Sequence, residues 1–197
     1  MRHHHIDVGS VLRGTVCALY SNLVTRPTGA AVRTEIERAI AEIGGRTVTV
    51  IDFSEVTLLD FSCADEIVAK LMLRYAPAEG LPPVPGPDAD GWFLFRGLGD
   101  RHLDAVEAVL ERHRLAIVAV FDGVPCLIGD VSAGERETWE MLRDRGGVDA
   151  ETLAAARGMS VDEAARRLDA LALRGLAVRV EDWYAAVGTL GPTEAAA

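Results

Sequence analysis

Ile36, Ile40 and Ile43 recur at the three- and four-residue spacing of one helix face, so the pattern predicts an amphipathic helix over 30–43, stopped by Gly44-Gly45. The run Thr47–Phe53 is β-branched or apolar on both faces and reads as a central strand. Asp60 or Ser62 then caps a helix whose inward positions are Ala64, Ile67, Val68, Leu71 and Tyr75. Trp92–Phe95 reads as a short strand, 100–114 as a helix with Leu103, Val106 and Leu110 inward, and Leu115–Phe121 as a buried strand. Asp122-Gly123 between two apolar runs predicts a hairpin into Val124–Ile128. Strands alternating with helices imply a layered α/β sheet.

Beyond the break at Gly129–Gly134 the pattern turns helical. A helix over 135–144 points Trp139 and Leu142 inward, and Asp149 caps a short helix that runs to Ala156. Gly158-Met159-Ser160 is a tight turn with Ser160 as the next cap; the following helix, with Ala164, Leu168 and Leu171 inward, ends at Gly175. Leu176–Val180 is a short strand. Helix, helix, tight turn, helix, strand is the order of a winged helix-turn-helix. The expected organisation is an α/β domain over 1–130, a small mainly helical domain over 131–190 and a flexible tail over 191–197. The proline-rich stretch Gly80–Gly91 reads as a loop inside the first domain.

Composition narrows the function classes. Of 197 residues, 49% are hydrophobic and 25% charged, which is globular; no apolar stretch is long enough for a membrane helix, and the first residues lack the apolar core of a signal peptide, so the cytoplasm is the expected compartment. A net charge of −10 argues against a generic nucleic-acid or anionic-membrane binder. Cys17, Cys63 and Cys126 are too few and too widely spaced for a disulfide framework or zinc ribbon, and read as reduced, mostly buried thiols. His3-His4-His5 resembles a purification-tag remnant or a solvated end. His102 and His113 fall on one helix, about 16 Å apart, too far to share a metal, and His113 suits the helix C-terminus. No triad order and no phosphate loop is present, since Gly97-Leu98-Gly99 lacks the rest of a dinucleotide fingerprint; neither a cofactor, a metal nor an enzyme activity is expected.

The segment Ile51-Asp52-Phe53-Ser54-Glu55-Val56-Thr57-Leu58-Leu59-Asp60-Phe61-Ser62-Cys63-Ala64 resembles the STAS family, which includes the bacterial anti-sigma factor antagonists. The family pattern is an apolar strand ending in Asp, a Val-Thr loop, then Asp-Ser-Ser-Gly opening a helix. Its second serine, the phosphoacceptor of the antagonists, falls on Ser62 and its acidic position on Asp60; Phe61 replaces the first serine and Cys63 the glycine. Cys63-Ala64-Asp65-Glu66 is similar to a divergent STAS-like branch with an aromatic-Ala-Asp-Glu run, which Leu19-Tyr20-Ser21 and Thr25-Arg26-Pro27-Thr28-Gly29 also fit. Members of that branch occur beside histidine-kinase-like ATPase domains. The resemblance spans roughly 7–130, and Val148–Tyr184 is similar to winged helix-turn-helix domains of bacterial regulators.

The resemblance implies a regulatory protein whose partner is a histidine-kinase-like ATPase or an anti-sigma-like factor, and it leaves a homodimer open. Ser62 is then a phosphorylation or switch residue, against the alternative of a plain N-cap. Asp60, Phe61, Asp65 and Glu66 are partner-contact candidates; adjacent carboxylates on a helix point about 100° apart, which disfavours a paired acid–base role for the last two. In the second domain Ser160, Arg166, Arg167 and Arg174 are DNA-contact candidates. Residues 131–197 nevertheless hold eight arginines against twelve acidic residues, so a protein-contact module is an equal alternative. The rival classes are an interaction adaptor that does not touch DNA and an enzyme using Asp65, Glu66 or Cys63.

Overall fold

The structure, a computed structural model, describes residues 2–17, 21–43, 47–75 and 91–189. Leu19-Tyr20, the Gly44-Gly45 stop, residues 80–90 of the expected proline-rich loop and the expected tail over 191–197 lie outside the described residues, and Gly91 begins a strand.

Five strands form one sheet in the order β1 (Arg2–Asp7), β3 (Thr47–Asp52), β5 (Gly91–Arg96), β6 (Ala116–Phe121), β7 (Val124–Gly129). The first four are parallel, with Ile6 opposite Ile51 and Asp52 opposite Arg96. Only β7 runs antiparallel. It is joined to β6 by Asp122 (φ 49°) and Gly123 (φ 80°), both left-handed as a type I′ turn requires. His3-His4-His5 belongs to edge strand β1, paired with Val48, Thr49 and Val50. That corrects the reading of a solvated end: the backbone groups on the β3 side of β1 are paired in the ladder whatever the side chains are, and those on the outer side remain open as at any sheet edge.

Helices α1 (Val8–Thr15), α2 (Arg26–Ile43) and α5 (Asp100–His113) cover one sheet face together with a composite helix. The composite helix is built from α3 (Phe61–Ala64), a π turn (Asp65–Ala69) and α4 (Lys70–Tyr75). Leu12, Ile36, Ile67, Leu71, Val106 and Leu110 meet Ile51, Phe93, Phe95 and Ile117 there. A parallel pair of two-residue strands, β2 (Asn22–Leu23) and β4 (Leu58–Leu59), braces the chain just before α3.

The C-terminal unit contains α6 (Ala133–Arg145), α7 (Ala150–Arg157), α8 (Val161–Leu173) and the hairpin β8 (Ala177–Val180) and β9 (Trp183–Ala186). Ser132, Asp149 and Ser160 cap its three helices. Strand side chains alternate between faces, so Val48, Val50, Leu94, Val118 and Leu127 point away from α1–α5. They join Trp139, Leu142, Leu168, Leu171, Val178 and Tyr184 in a second core. Two indoles pin this layer: Trp139 Nε1 donates to the Leu176 carbonyl at 2.9 Å, and Trp92 Nε1 to Ala177 at 3.1 Å. The sheet is thus the middle layer, and the C-terminal unit packs on the face that carries Val48, Val118 and Leu127, leaving His5 and Arg96 at its edge exposed.

Candidate functional site

The C-terminal end of β3 feeds the site. Asp52 Oδ1 accepts from the Ser54 amide (2.9 Å) and hydroxyl (2.6 Å), and its Oδ2 lies 2.8 Å from His5 Nε2 and 3.1 Å from Arg96 Nε. Burial raises its carboxyl pKa, but the Ser54, His5 and Arg96 contacts outweigh burial and hold it below its ordinary value. Gly97, at φ 72°, packs so closely that a Cβ would lie 2.3 Å from the Ser54 amide.

The chain then reaches β4, where the Asp60 amide donates to the Leu23 carbonyl at 2.8 Å. Asp60, not Ser62, is the N-cap: its Oδ1 accepts from the Cys63 amide at 2.8 Å. Ser62 sits inside the first turn and its hydroxyl donates to Asp60 Oδ1 at 2.9 Å. Opposite positions on paired strands share a face, so Leu58 and Asn22 point outward while Leu23 and Leu59 point in. Val24 (40% exposed), Leu58 (44%) and Phe61 (37%) therefore remain open to solvent around the start of α3. The Arg112 guanidinium stands 5.8 Å from the Phe61 ring centroid.

Asp65 and Glu66 open the π turn and are only 7% and 2% exposed. Both reach one guanidinium nitrogen, Arg26 Nη1, at 2.8 and 2.7 Å. That overturns the expectation that neighbouring carboxylates diverge: both are near enough to the start of α2 for a single long cation to bridge them. Asp65 also meets His113 Nε2 at 2.8 Å, and Glu66 pairs with Lys70 and, at 3.4 Å, with Arg33 Nε. Glu37 extends the network to Arg33 and Arg74, each at 2.7 Å. Gly29 permits this approach of α2, since a Cβ there would lie 2.9 Å from Cys63 Cα. Burial alone would raise both carboxyl pKa values; Arg26 and His113 at Asp65, and Lys70 and Arg26 at Glu66, bring each below its ordinary value.

Cys63 is buried and its Sγ lies 3.0 Å from the Thr25 carbonyl. Burial, reinforced by the Asp60 charge, pushes its thiol up to about 12. Cys17 is exposed and Cys126 half-buried, so among the three thiols only Cys63 is fully interior. Carboxylates saturated by cations are weak bases, and a thiol this high is a poor nucleophile. His102 is a buried histidine bound to the Val56 carbonyl at 3.0 Å, and burial lowers its pKa.

In the second unit, Ser160 is a cap, accepting from the Glu163 amide at 3.2 Å. Arg167 pairs with Glu163 at 2.8 Å. Arg174 lies beyond the end of α8 and binds Glu135 and the Asp130 carbonyl. Arg166 is exposed and has no hydrogen-bond or ion-pair partner among the described residues. Asp169 accepts from the Tyr184 hydroxyl and from Arg179 Nη1 (3.1 Å), tying α8 to the hairpin. Burial first, then the Asp169 charge, pushes the Tyr184 hydroxyl up to about 12.

Sequence reasoning missed the cations around Asp65 and Glu66. The available signals were Arg33/Glu37 and Glu66/Lys70, each four residues apart on a helix. Comparison of the chain with protein-family models, curated proteins and solved structures finds no match.

Proposed function

We propose that the chain is a non-enzymatic bacterial regulatory protein, a STAS-like domain that docks a protein partner on the surface around the start of α3. The observation that carries this is the cluster of Val24, Leu58 and Phe61, three apolar side chains left exposed beside Ser62 and Arg112. The partner class is a histidine-kinase-like ATPase or an anti-sigma-like factor, by the family resemblance. Ser62 is the switch residue: a phosphate there would place about −1.5 to −2 charge against Asp60 and beside the apolar cluster. Asp65 and Glu66 act from beneath, as the ionic anchor that holds the surface in place. Their saturation by cations, and the raised Cys63 thiol, support the absence of a reaction at this site.

The C-terminal unit is read as a winged helix-turn-helix used for protein contact. Between the arginines, the outward side of α8 carries Asp162, Asp169 and Leu173, the last 77% exposed, a poor match to a phosphate backbone. Among the described residues no helix is long and apolar enough to cross a membrane, and the expected compartment is the cytoplasm.

A photo-crosslinking residue at position 61, with position 104 on the exposed side of α5 as control, tests the docking surface in the source cell. One ATPase-domain or anti-sigma-like protein captured from 61 alone, and lost with Ser62→Asp, is expected. Identical capture from both positions, or none, would remove this reading.

A further inference from the structure

We propose that the cleft between α8 and the β7–α6 junction is a binding site for a small phosphate-bearing anion of two or more negative charges, held by Arg114 and Arg166 from opposite walls. The proposal involves none of the residues of the docking surface above.

The cleft encloses about 690 Å³, within the range of small-molecule sites. One wall is α8, where Glu163, Arg166, Arg167 and Arg174 recur at helical spacing. The other is Arg114, which caps α5 in the left-handed region at φ 54°, with Asp130 and Ser132. All three arginines expected to meet DNA thus line a concavity facing the rest of the chain.

The charges divide into two sets. Arg174 is committed to Glu135 and the Asp130 carbonyl, and Arg167 to Glu163. Arg167 also lies against the first turn of α6, where a Cβ on Gly134 would be 3.4 Å from its Nη1. Arg114 and Arg166 are exposed, and their side chains carry no hydrogen-bond or ion-pair partner among the described residues. Two guanidinium groups without carboxylate partners, in a chain of net charge −10, form a local positive site. The guanidinium fork matches phosphate oxygens, and charge-assisted pairs of this kind are the strong ones. A monoanion satisfies one wall; a dianion satisfies both. The Asp130 carboxylate on the same wall opposes anions and keeps weakly charged ligands out. A duplex is too broad to enter a concave cleft and would face Asp162 and Asp169 outside it.

Isothermal titration of the full-length protein with inorganic pyrophosphate, and separately with a nucleoside diphosphate, at constant ionic strength tests this. Saturable one-to-one binding is expected, weakened about tenfold or more by Arg114→Ala and by Arg166→Ala and strengthened by Asp130→Asn. Equal affinity for the two probes assigns recognition to the phosphates alone; a preference for the nucleotide assigns a part to its organic moiety. Both alanine changes are at exposed positions, and the thermal midpoint should rise with probe concentration in wild type but not in the double variant. Absence of saturable binding into the millimolar range, or affinity unchanged in both variants, overturns the proposal. Tight binding of random duplex DNA, with a salt slope of several units that needs Arg166 but not Arg114, overturns it as well, by assigning the arginine to DNA.

Discussion

His113 Nε2 lies 2.8 Å from Asp65 Oδ1, joining the last residue of α5 to the first residue of the π turn. The contact sits beside Arg26, so a buried carboxylate is held from two separate helices at once. Such groups tie stability to pH. Asp52, Asp65, Glu66 and Glu135 all have carboxyl pKa values lowered by the fold. A lowered folded value means the unfolded chain takes up protons first as pH falls. The stabilisation is complete above the ordinary carboxylate range and is lost as pH drops through about 4 toward the folded values. Urea midpoints should decline gently once pH falls below about 6.5, where the unfolded chain protonates His102 before the folded one does, and then steeply through the carboxylate range. A midpoint that holds well below the carboxylate range would contradict the assigned charge states.

Glu66→Gln leaves Arg26, Arg33 and Lys70 without their shared anion. Removing one partner of a buried ionic cluster should cost about 2–3 kcal/mol, read from urea unfolding. An equal loss is not expected for Glu42→Gln, whose partner Arg38 is on the exposed side of α2.

Asp60→Ala and Ser62→Ala separate cap from switch. Asp60 is the group that accepts the Cys63 amide, so its loss should cost about 1 kcal/mol. Ser62 donates only to Asp60, so Ser62→Ala should change stability by a few tenths of a kcal/mol at most. Thermal melts of the two variants compare them directly. The reverse ranking would restore Ser62 as the cap.

How much of this was legible in the sequence depends on where each signal resides. The helices after Asp149 and Ser160 and the Asp122-Gly123 hairpin carry their boundaries in local chemistry, and they form close to where the pattern puts them. Strand β1 does not, because three histidines give no alternation and only pairing with β3 makes them a strand. Strands β2 and β4 have two residues each, too few for any period. The π turn uses the same residues an α-helix would. The ionic site is tertiary: Arg26 and Asp65 stand 39 positions apart, and no local pattern connects them. The pattern over Leu115–Ile128 reads as buried without saying by what, so the layer formed by the C-terminal unit was not visible.

That layer bears on the fragment 1–130, which the pattern alone expects to fold by itself. Without the C-terminal unit, Val48, Val50, Leu94, Val118 and Leu127 lose their cover. The fragment should bind a hydrophobic dye and melt with reduced cooperativity. In the full chain, Trp139→Ala empties the centre of the shared core and should cost about 3–5 kcal/mol. A dye-silent fragment that melts as sharply as the whole chain would mean the sheet needs no second layer.

Salt dependence decides what α8 does toward DNA. Each lysine or arginine that neutralises a phosphate adds about 0.9 to the slope of log affinity against log salt. Arg167 and Arg174 are already paired with Glu163 and Glu135, and releasing either would break a contact within the protein. Arg166 alone is available without that cost. Wild-type binding to random duplex should therefore be weak even at low salt. Arg166→Ala should lower the slope by no more than about one, and adding Arg167→Ala should lower it little further. Replacing Asp162 and Glu163 by Asn and Gln removes repulsion and frees Arg167, so affinity and slope should both rise. Fluorescence anisotropy across a salt series measures all of these on one labelled duplex. A wild-type slope of several units, cut by about two in the double variant, would show that α8 opens its ion pairs to meet phosphate, and would make it a DNA-reading helix.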